Sequence, residues 1–303
     1  TRHPFRVQTE QFKLTRLLHE RLASDPGYAI AFDSSVEDVA QDASGVTVTI
    51  ARRGRRLTER GAWLIGADGA RSAVRRALGI PFEGFTWPER FLVVSTPFDF
   101  HAALPDLVSV NYVADPEQWH FLLEIPGMWR IMFPVRPEIE DAQATSDDYV
   151  QAQMATLLPG RRGYEVAHTT LYRVHQRVAE SYRQGRVFLA GDAAHVNNPL
   201  GGMGMNGGIH DAVNLAQRLA RVWHGEADAG ELDRYDRQRR GICVEFVQKQ
   251  TIQNKANLEA RDPAAHDAFK KRIGETAGDP RLAYQYLLDA AMISSLRRAE
   301  ALG

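Results

Sequence analysis

The sequence predicts an α/β fold in which a parallel-strand unit is interrupted by a mainly antiparallel sheet and followed by helices at the carboxyl end. Three observations predict it. Two short apolar runs, Ala62–Ala67 and Arg186–Ala190, each lead through a Gly/Asp turn toward a helix, as strands buried on both faces do in α/β proteins. Between them, Phe91 to Val135 breaks into strand-like pieces separated by Pro, Asp and Gly, without a helix of useful length, which is antiparallel texture. Beyond Trp223 the pattern is helical, broken at Asp262-Pro263 and Asp279-Pro280.

Taken in order, Gln8 to Leu22 carries Phe12, Leu14, Leu17, Leu18 and Leu22 near a helical period, and Asp25-Pro26-Gly27 stops that helix. Ser35–Gln41 and Gly45–Ala51 read as strands, the second through its Val46, Val48, Ile50 alternation. The basic run Arg52-Arg53-Gly54-Arg55-Arg56 reads as a solvated hairpin tip between strand-like stretches. After Ala62–Ala67 a helix is expected from Ser72 to about Leu78. The strand candidates of the middle region are Phe91–Thr96, Val108–Val113, His120–Ile125 and Trp129–Phe133. A helix over Asp147–Leu158 stops at Pro159-Gly160, and Val166–Val174 is the strand leading back. Arg186–Ala190 then precedes a long loop and a helix from about Met205 to Trp223.

Composition is that of an ordinary globular protein, 44% hydrophobic and 25% charged over 303 residues. Lys plus Arg is 37 against 38 for Asp plus Glu. That balance gives no reason to expect nucleic acid or an anionic membrane as partner. Cys243 is the single cysteine, so no intrachain disulfide is possible and a reducing, cytoplasmic home is expected. No apolar run approaches the ~18–20 residues that span a bilayer, and no metal site is expected.

The chemistry concentrates in residues 186–219. A hydrophobic strand ends at Gly191-Asp192, placing a carboxylate at the carboxyl edge of a sheet, where ligands of open α/β sheets bind. Such a carboxylate accepts hydrogen bonds from the hydroxyls of a sugar or sugar-alcohol chain. Gly201, Gly202, Gly204, Gly207 and Gly208 follow, five glycines in eight positions. A backbone without Cβ atoms turns through φ > 0 and lies close against a planar ligand. The next helix directs its amino-terminal N–H groups back toward that ligand, an end suited to partial negative charge such as an electron-rich isoalloxazine edge. A phosphate loop is the rival reading, but no Gly-Lys-Ser/Thr follows.

These residues resemble the Gly-Asp motif of the class A flavoprotein monooxygenases, the 4-hydroxybenzoate hydroxylase-like family. The matching elements are Gly191-Asp192-Ala193-Ala194-His195, Pro199, Gly201, Gly204-Met205-Asn206, Asp211-Ala212 and Asn214-Leu215. The resemblance implies that Asp192 bonds the ribityl chain of FAD and that the backbone at Gly204, Met205 and Asn206 faces the flavin pyrimidine ring. Ala67-Asp68-Gly69-Ala70-Arg71-Ser72-Ala73-Val74-Arg75 is similar to the family's Asp-Gly motif, credited with roles in FAD and NAD(P)H binding. It lies about 120 residues upstream of the first match. Physically, Asp68 ends a strand, Gly69 permits a turn, Ser72 caps the next helix, and Arg75 offers a charge to a pyrophosphate or carboxylate. Gln8 matches a position on the flavin side. His195 is expected to make a structural hydrogen bond.

The implied fold is an FAD-binding Rossmann-like (glutathione reductase-like) domain, amino-terminally incomplete, with an inserted antiparallel substrate domain and carboxyl-terminal helices. By that resemblance, residues 1–80 and 176–240 belong to the FAD-binding domain, 81–175 to the substrate sheet, and 241–303 to the helices. The family's opening Gly-x-Gly-x-x-Gly unit has no counterpart in these residues; the glycines of 201–208 follow a different strand and lack a downstream ribose-binding acid. The expectation is therefore a fragment, weak in FAD binding, or numbering that begins inside a longer protein.

The implied reaction is hydroxylation of a phenol-type ring by NAD(P)H and O₂ through a flavin C4a-hydroperoxide. Tyr112 is the expected catalytic residue, relaying a phenolic proton, with His120 and Arg130 as further polar candidates on the sheet. Another flavin oxidoreductase of this fold (a reductase, a decarboxylating hydroxylase or a halogenase) is the alternative, as is a non-catalytic fragment unable to hold FAD. Asn197-Asn198 departs from the Pro or apolar residues frequent in relatives. Met203 stands where Gln or Lys is frequent. The helices beyond Glu245 offer a surface for the FAD domain or for a homodimer.

Overall fold

The computed structural model describes His3 and residues 5–303. Its first part runs α1 (Gln11–Leu22), β1 (Ser34–Asp42), β2 (Gly45–Arg52), β3 (Arg55–Gly61), β4 (Leu64–Gly66) and α2 (Ala73–Ala77). The middle runs β5 (Phe82–Thr96), α3 (Phe100–Ala103), β6 (Val110–Val113), β7 (His120–Ile125), β8 (Met128–Val135), α4 (Asp141–Ala144), α5 (Asp147–Ala155) and β9 (His168–Ala179). Then follow β10 (Arg183–Gln184), β11 (Val187–Leu189), β12 (His195–Val196) and α6 (Met203–Trp223). Helices α7 (Asp233–Ile242), α8 (Lys249–Glu259), α9 (Pro263–Gly278), α10 (Pro280–Ala290) and α11 (Ile293–Ala301) complete the chain. A π-helical segment, Cys243–Gln248, joins α7 to α8.

Two compact units divide the chain. The first comprises the chain up to Phe32, Trp87–Val174 and Leu258–Arg261; the second comprises Asp33–Thr86, His175–Asn257 and Asp262–Gly303. The opening helix thus belongs with the sheet region rather than with the Asp-Gly turn. Gln8 accounts for part of that: its Nε2 donates to the Glu124 carbonyl at 2.9 Å.

In the first unit β5, β8, β7 and β6 lie side by side in that order, each pair antiparallel. The alternation of β8 buries Trp129, Ile131 and Phe133 against Leu92, Phe100, Val150 and Met154. α3 is a single turn capped by Asp99, so the antiparallel reading holds across the region.

In the second unit β4 and β11 run parallel, with Val187 opposite Leu64 and Leu189 opposite Gly66. Val187, Phe188 and Leu189 are wholly buried, as a strand covered on both faces requires. Gly66 has no room for a side chain; a Cβ there would stand 2.9 Å from Val74 and 3.1 Å from Leu189. β1, β2 and β3 form an antiparallel meander. The basic tip is a two-residue turn with Arg53 and Gly54 both at positive φ, which matches the twist of the flanking strands. Asp262 and Asp279 cap α9 and α10, each followed by Pro at the first helical position.

Candidate functional site

The second unit gathers both glycine turns around the end of β11. Ala190 continues the parallel pairing by donating to the Gly66 carbonyl at 3.0 Å. The chain then turns at Gly191, whose φ of 59° is a left-handed conformation that favours glycine. The turn Gly191–Ala193 leaves the Asp192 side chain exposed. Among the described residues the Asp192 carboxylate has no hydrogen-bond or ion-pair partner.

α6 begins one loop later with Gly202 at its amino-terminal cap in a left-handed conformation, and no side chain caps its first turn. No acidic residue stands in that turn. The space where a Gly202 Cβ would sit is open, and at Gly204 the only atom nearby is Asn197 Oδ1 at 3.7 Å. A 21-residue helix therefore presents its positive end uncapped, and Gly208 of that helix packs against Gly191, the residue before the unengaged Asp192 carboxylate. That arrangement fits a flavin: hydroxyls of a ribityl chain for Asp192, and an electron-rich ring edge for the first N–H groups of α6. Met205 and Asn206 are exposed on this turn, with Asn206 Nδ2 donating back to the Gly202 carbonyl at 2.8 Å. Pro199 is exposed and Gly201 half-buried in the loop leading to it.

Behind these glycines lies a buried ion network. Asp211, one turn beyond Gly207 on α6 and fully buried, accepts from Gly191 N at 3.1 Å, His195 Nε2 at 2.9 Å and Arg239 Nε at 2.7 Å. Burial opposes the Asp211 charge, but His195 and Arg239 outweigh it and hold the carboxyl below its usual range. Burial likewise opposes charge on His195. The neighbouring Cys243 thiol and Asp211 outweigh it, raising the imidazole from 6.5 to about 10. Gly207 lets α6 approach, since a Cβ there would lie 3.1 Å from His195 Cε1. His195 thus makes the structural hydrogen bond expected of it, and the acceptor is Asp211.

The Asp-Gly turn is built differently from its sequence-based picture. Asp68 Oδ2 accepts from Ala73 N at 2.7 Å and Val74 N at 3.1 Å, so it secures the start of α2. Ser72 Oγ accepts from Arg75 N at 2.9 Å, the expected cap. Gly69 turns at φ 81°. Arg75 is 5% exposed and donates to the carbonyls of Ala70 and Ala193, both at 2.7 Å, with its guanidinium 3.8 Å from the Phe82 ring centroid. Its charge is engaged by backbone carbonyls rather than held out for a ligand, and it ties the two turns together.

Gln8, Tyr112, His120 and Arg130 lie in the first unit. Tyr112 is 44% exposed and stacked on Phe121 at 5.5 Å. His120 Nδ1 lies 3.0 Å from the Gln118 carbonyl, and burial lowers its pKa. Arg130 pairs in register with Ser95 and Leu123. Sequence reasoning missed Arg239, which sits in an undistinguished arginine-rich stretch, and the polar residues Gln248, Thr251 and Asn254.

Residues 1–250 match the family described as FAD binding domain. The chain is 33% identical over 305 residues to para-nitrophenol 4-monooxygenase of Pseudomonas sp. (strain WBC-3), covering 99% of this chain and 75% of that protein. It is 35% identical to 6-hydroxy-3-succinoylpyridine 3-monooxygenase of Pseudomonas putida (strain DSM 28022 / S16), covering 86% of this chain and 66% of that protein. The crystal structure of p-nitrophenol 4-monooxygenase from Pseudomonas putida DLL-E4 superposes with a TM-score of 0.87 at 33% identity, covering 93% of this chain and 71% of that one. On motif, geometry and likeness together, the chain belongs to the FAD-binding-domain family of class A FAD-dependent aromatic monooxygenases.

Proposed function

We propose that the protein hydroxylates a phenol-type aromatic ring, using FAD, NAD(P)H and O₂. The observation that carries this reading is the open wall of the second unit: Asp192 exposed and without a partner, on a turn whose Gly191 packs against Gly208 of the uncapped helix α6. Relatives named for hydroxylating nitrophenol and a hydroxypyridine support the substrate class. When bound, FAD supplies the redox chemistry, taking electrons from NAD(P)H and activating O₂ for transfer to the ring.

Asp192 would hold the ribityl hydroxyls of FAD, the backbone at Gly204, Met205 and Asn206 would hold its pyrimidine ring, and Pro199 and Gly201 would shape the loop beside it. Gly191 keeps the wall flat, while Asp68, Gly69 and Arg75 hold that wall in place from the Asp-Gly side. Gln8 keeps its flavin-side assignment within this proposal. Tyr112 relays the phenolic proton, accepting it as its own hydroxyl proton passes on to solvent, and so raises electron density on the ring being attacked. The single cysteine is buried, which suits a cytoplasmic enzyme, and among the described residues no helix is long and apolar enough to cross a membrane.

The test is NAD(P)H oxidation by the FAD-loaded protein against a panel of phenols and hydroxypyridines, with peroxide release followed in parallel. Aromatics that accelerate flavin reduction and yield hydroxylated product support the reading. If no aromatic accelerates reduction, the protein is another flavin oxidoreductase of this fold. If the folded chain binds no FAD, it is a non-catalytic relative.

A further inference from the structure

The loop that carries the flavin wall, residues 196–202, is gripped from one side by the end of the π-helical segment and the helix that follows it. Gln248 closes the π-helical segment and Thr251 and Asn254 follow on α8, the three spaced three apart so that they share one side. Each meets an alternate residue of the extended loop. Gln248 Nε2 donates to the Val196 carbonyl at 3.2 Å. The Thr251 carbonyl accepts from Asn198 Nδ2 at 2.9 Å. Asn254 Nδ2 donates to the Leu200 carbonyl at 3.2 Å.

Gln176 on β9 closes the network from the other side. Its Oε1 accepts from Asn198 N at 3.1 Å and Asn198 Nδ2 at 3.2 Å. Its Nε2 donates to Gln248 Oε1 at 2.6 Å and Thr251 Oγ1 at 2.9 Å. Asn198 Oδ1 accepts from Leu200 N at 3.1 Å, so the side chain also fixes the loop's own turn. Asn198 and Thr251 are wholly buried and Gln176 is 2% exposed. Buried amides left unsatisfied are costly, so a fully paired set of this kind holds one geometry.

We propose that Gln248, Thr251 and Asn254, together with Gln176 and Asn198, form a clamp that positions the loop and the start of α6 for the flavin ring. The proposal rests on the flavin reading above. These are positioning residues: they reach the cofactor only through Val196, Asn198 and Leu200. Asn198 thereby acquires a purpose for its departure from the residues frequent in relatives. A Pro there would lack both the backbone donor used by Gln176 and the side-chain amide used by Thr251. Asn254 is also placed against Gly201, where a Cβ would lie 2.8 Å from its Nδ2 and where φ is 103°. The clamp therefore sets the point at which the loop turns into the helix.

The test uses the full chain with Asn254→Ala, because Asn254 is half-buried and its loss removes one loop contact without opening the core. Three readouts are taken: the thermal midpoint without FAD, hydrogen exchange of residues 197–206 without FAD, and FAD affinity with the visible circular dichroism of the bound flavin. A single neutral hydrogen bond is worth about 0.5–1.5 kcal/mol, so affinity is expected to fall about 2- to 12-fold. Exchange in the loop accelerates while α7 is unchanged, the flavin dichroism shifts, and the midpoint moves by no more than the ~2 °C that 1 kcal/mol gives in a chain of this size. Asn198→Ala, which strands Gln176 and Thr251, produces the same signature more strongly. Unchanged exchange, affinity and dichroism in Asn254→Ala overturn the clamp while leaving the flavin reading intact. A fall in thermal midpoint with unchanged dichroism makes the contact merely structural and also overturns it. Failure of the folded wild-type chain to bind FAD overturns the flavin reading and the clamp with it.

Discussion

Replacing Asp211 by Asn keeps the shape of the side chain and removes the charge that three donors share. The largest consequence falls on Arg239, which is 3% exposed and loses its carboxylate partner. At the observed 2.7 Å, with an effective dielectric of about 20, the attraction between the two charges is about 6 kcal/mol. The asparagine dipole and some relaxation recover part of it, leaving a loss of about 3–5 kcal/mol, the usual cost of stranding one member of a buried pair. Against a total stability of about 5–15 kcal/mol, that is a large fraction. His195 keeps Cys243, the neighbour that most favours its charge, so it loses less than Arg239 does. Urea denaturation followed by tryptophan fluorescence measures the loss. Asp211→Asn with Arg239→Met removes the stranded cation, so the double variant is expected to be more stable than Asp211→Asn alone. A loss below about 1 kcal/mol in the single variant, or a double variant whose loss equals the sum of the singles, refutes the account of the network as a charge-paired unit.

Three further outcomes are expected. Gly66→Ala forces a methyl into Val74 and Leu189 and destabilises the second unit by about 1–3 kcal/mol, read as a shift in urea midpoint; a neutral effect means that β4 and α2 are less tightly packed than described. Asp192→Ala leaves stability within about 0.5 kcal/mol because the side chain is exposed, yet weakens FAD binding about 10- to 150-fold, the equivalent of about 1.5–3 kcal/mol for a hydrogen-bonded charge; equal affinities remove Asp192 from the site. The stability profile with pH follows from two opposite shifts. The raised His195 contributes fully below 6.5 and loses its contribution as pH climbs toward 10, whereas the depressed Asp211 contributes fully above about 3.8 and loses its contribution as pH falls below that. Thermal midpoints are therefore highest between about pH 4 and 6.5 for this network, and His195→Gln flattens the alkaline decline; an unchanged decline in that variant assigns it to other groups.

The sequence made the candidate flavin wall legible because its signals, glycine and aspartate at the end of a buried strand followed by a glycine-rich turn, are local ones. The turn at Gly191, the uncapped helix and the Ser72 cap all lie within a few residues of the signals that predicted them. What stayed hidden was contact between distant segments. Asp211 and Arg239 are 28 positions apart on different helices, and nothing in the arginine-rich stretch at 237–240 distinguishes the one that is buried. Arg75 looked available for a ligand because its acceptors are backbone carbonyls, which every residue has. The clamp residues Gln248, Thr251 and Asn254 are ordinary in a helix, and the π-helical segment that ends at Gln248 has no sequence mark. β3 was legible only as the far arm of the hairpin tip at 52–56: all of its residues are exposed, so it lacks the alternation that marks a strand's bounds, and it exists through its pairing with β2.

A single guanidinium, that of Arg75, holds the carbonyls of Ala70 and Ala193. Two stretches separated by more than a hundred positions are thereby one heritable part. A chimera that takes its first turn from one relative and its second from another inherits the joint only if both donors shape the carbonyls to the same fork. Recombination breakpoints between residues 75 and 193 are therefore expected to be tolerated only among parents that share that arginine. The usable exchange cassette is the pair of turns with Arg75, not either turn alone.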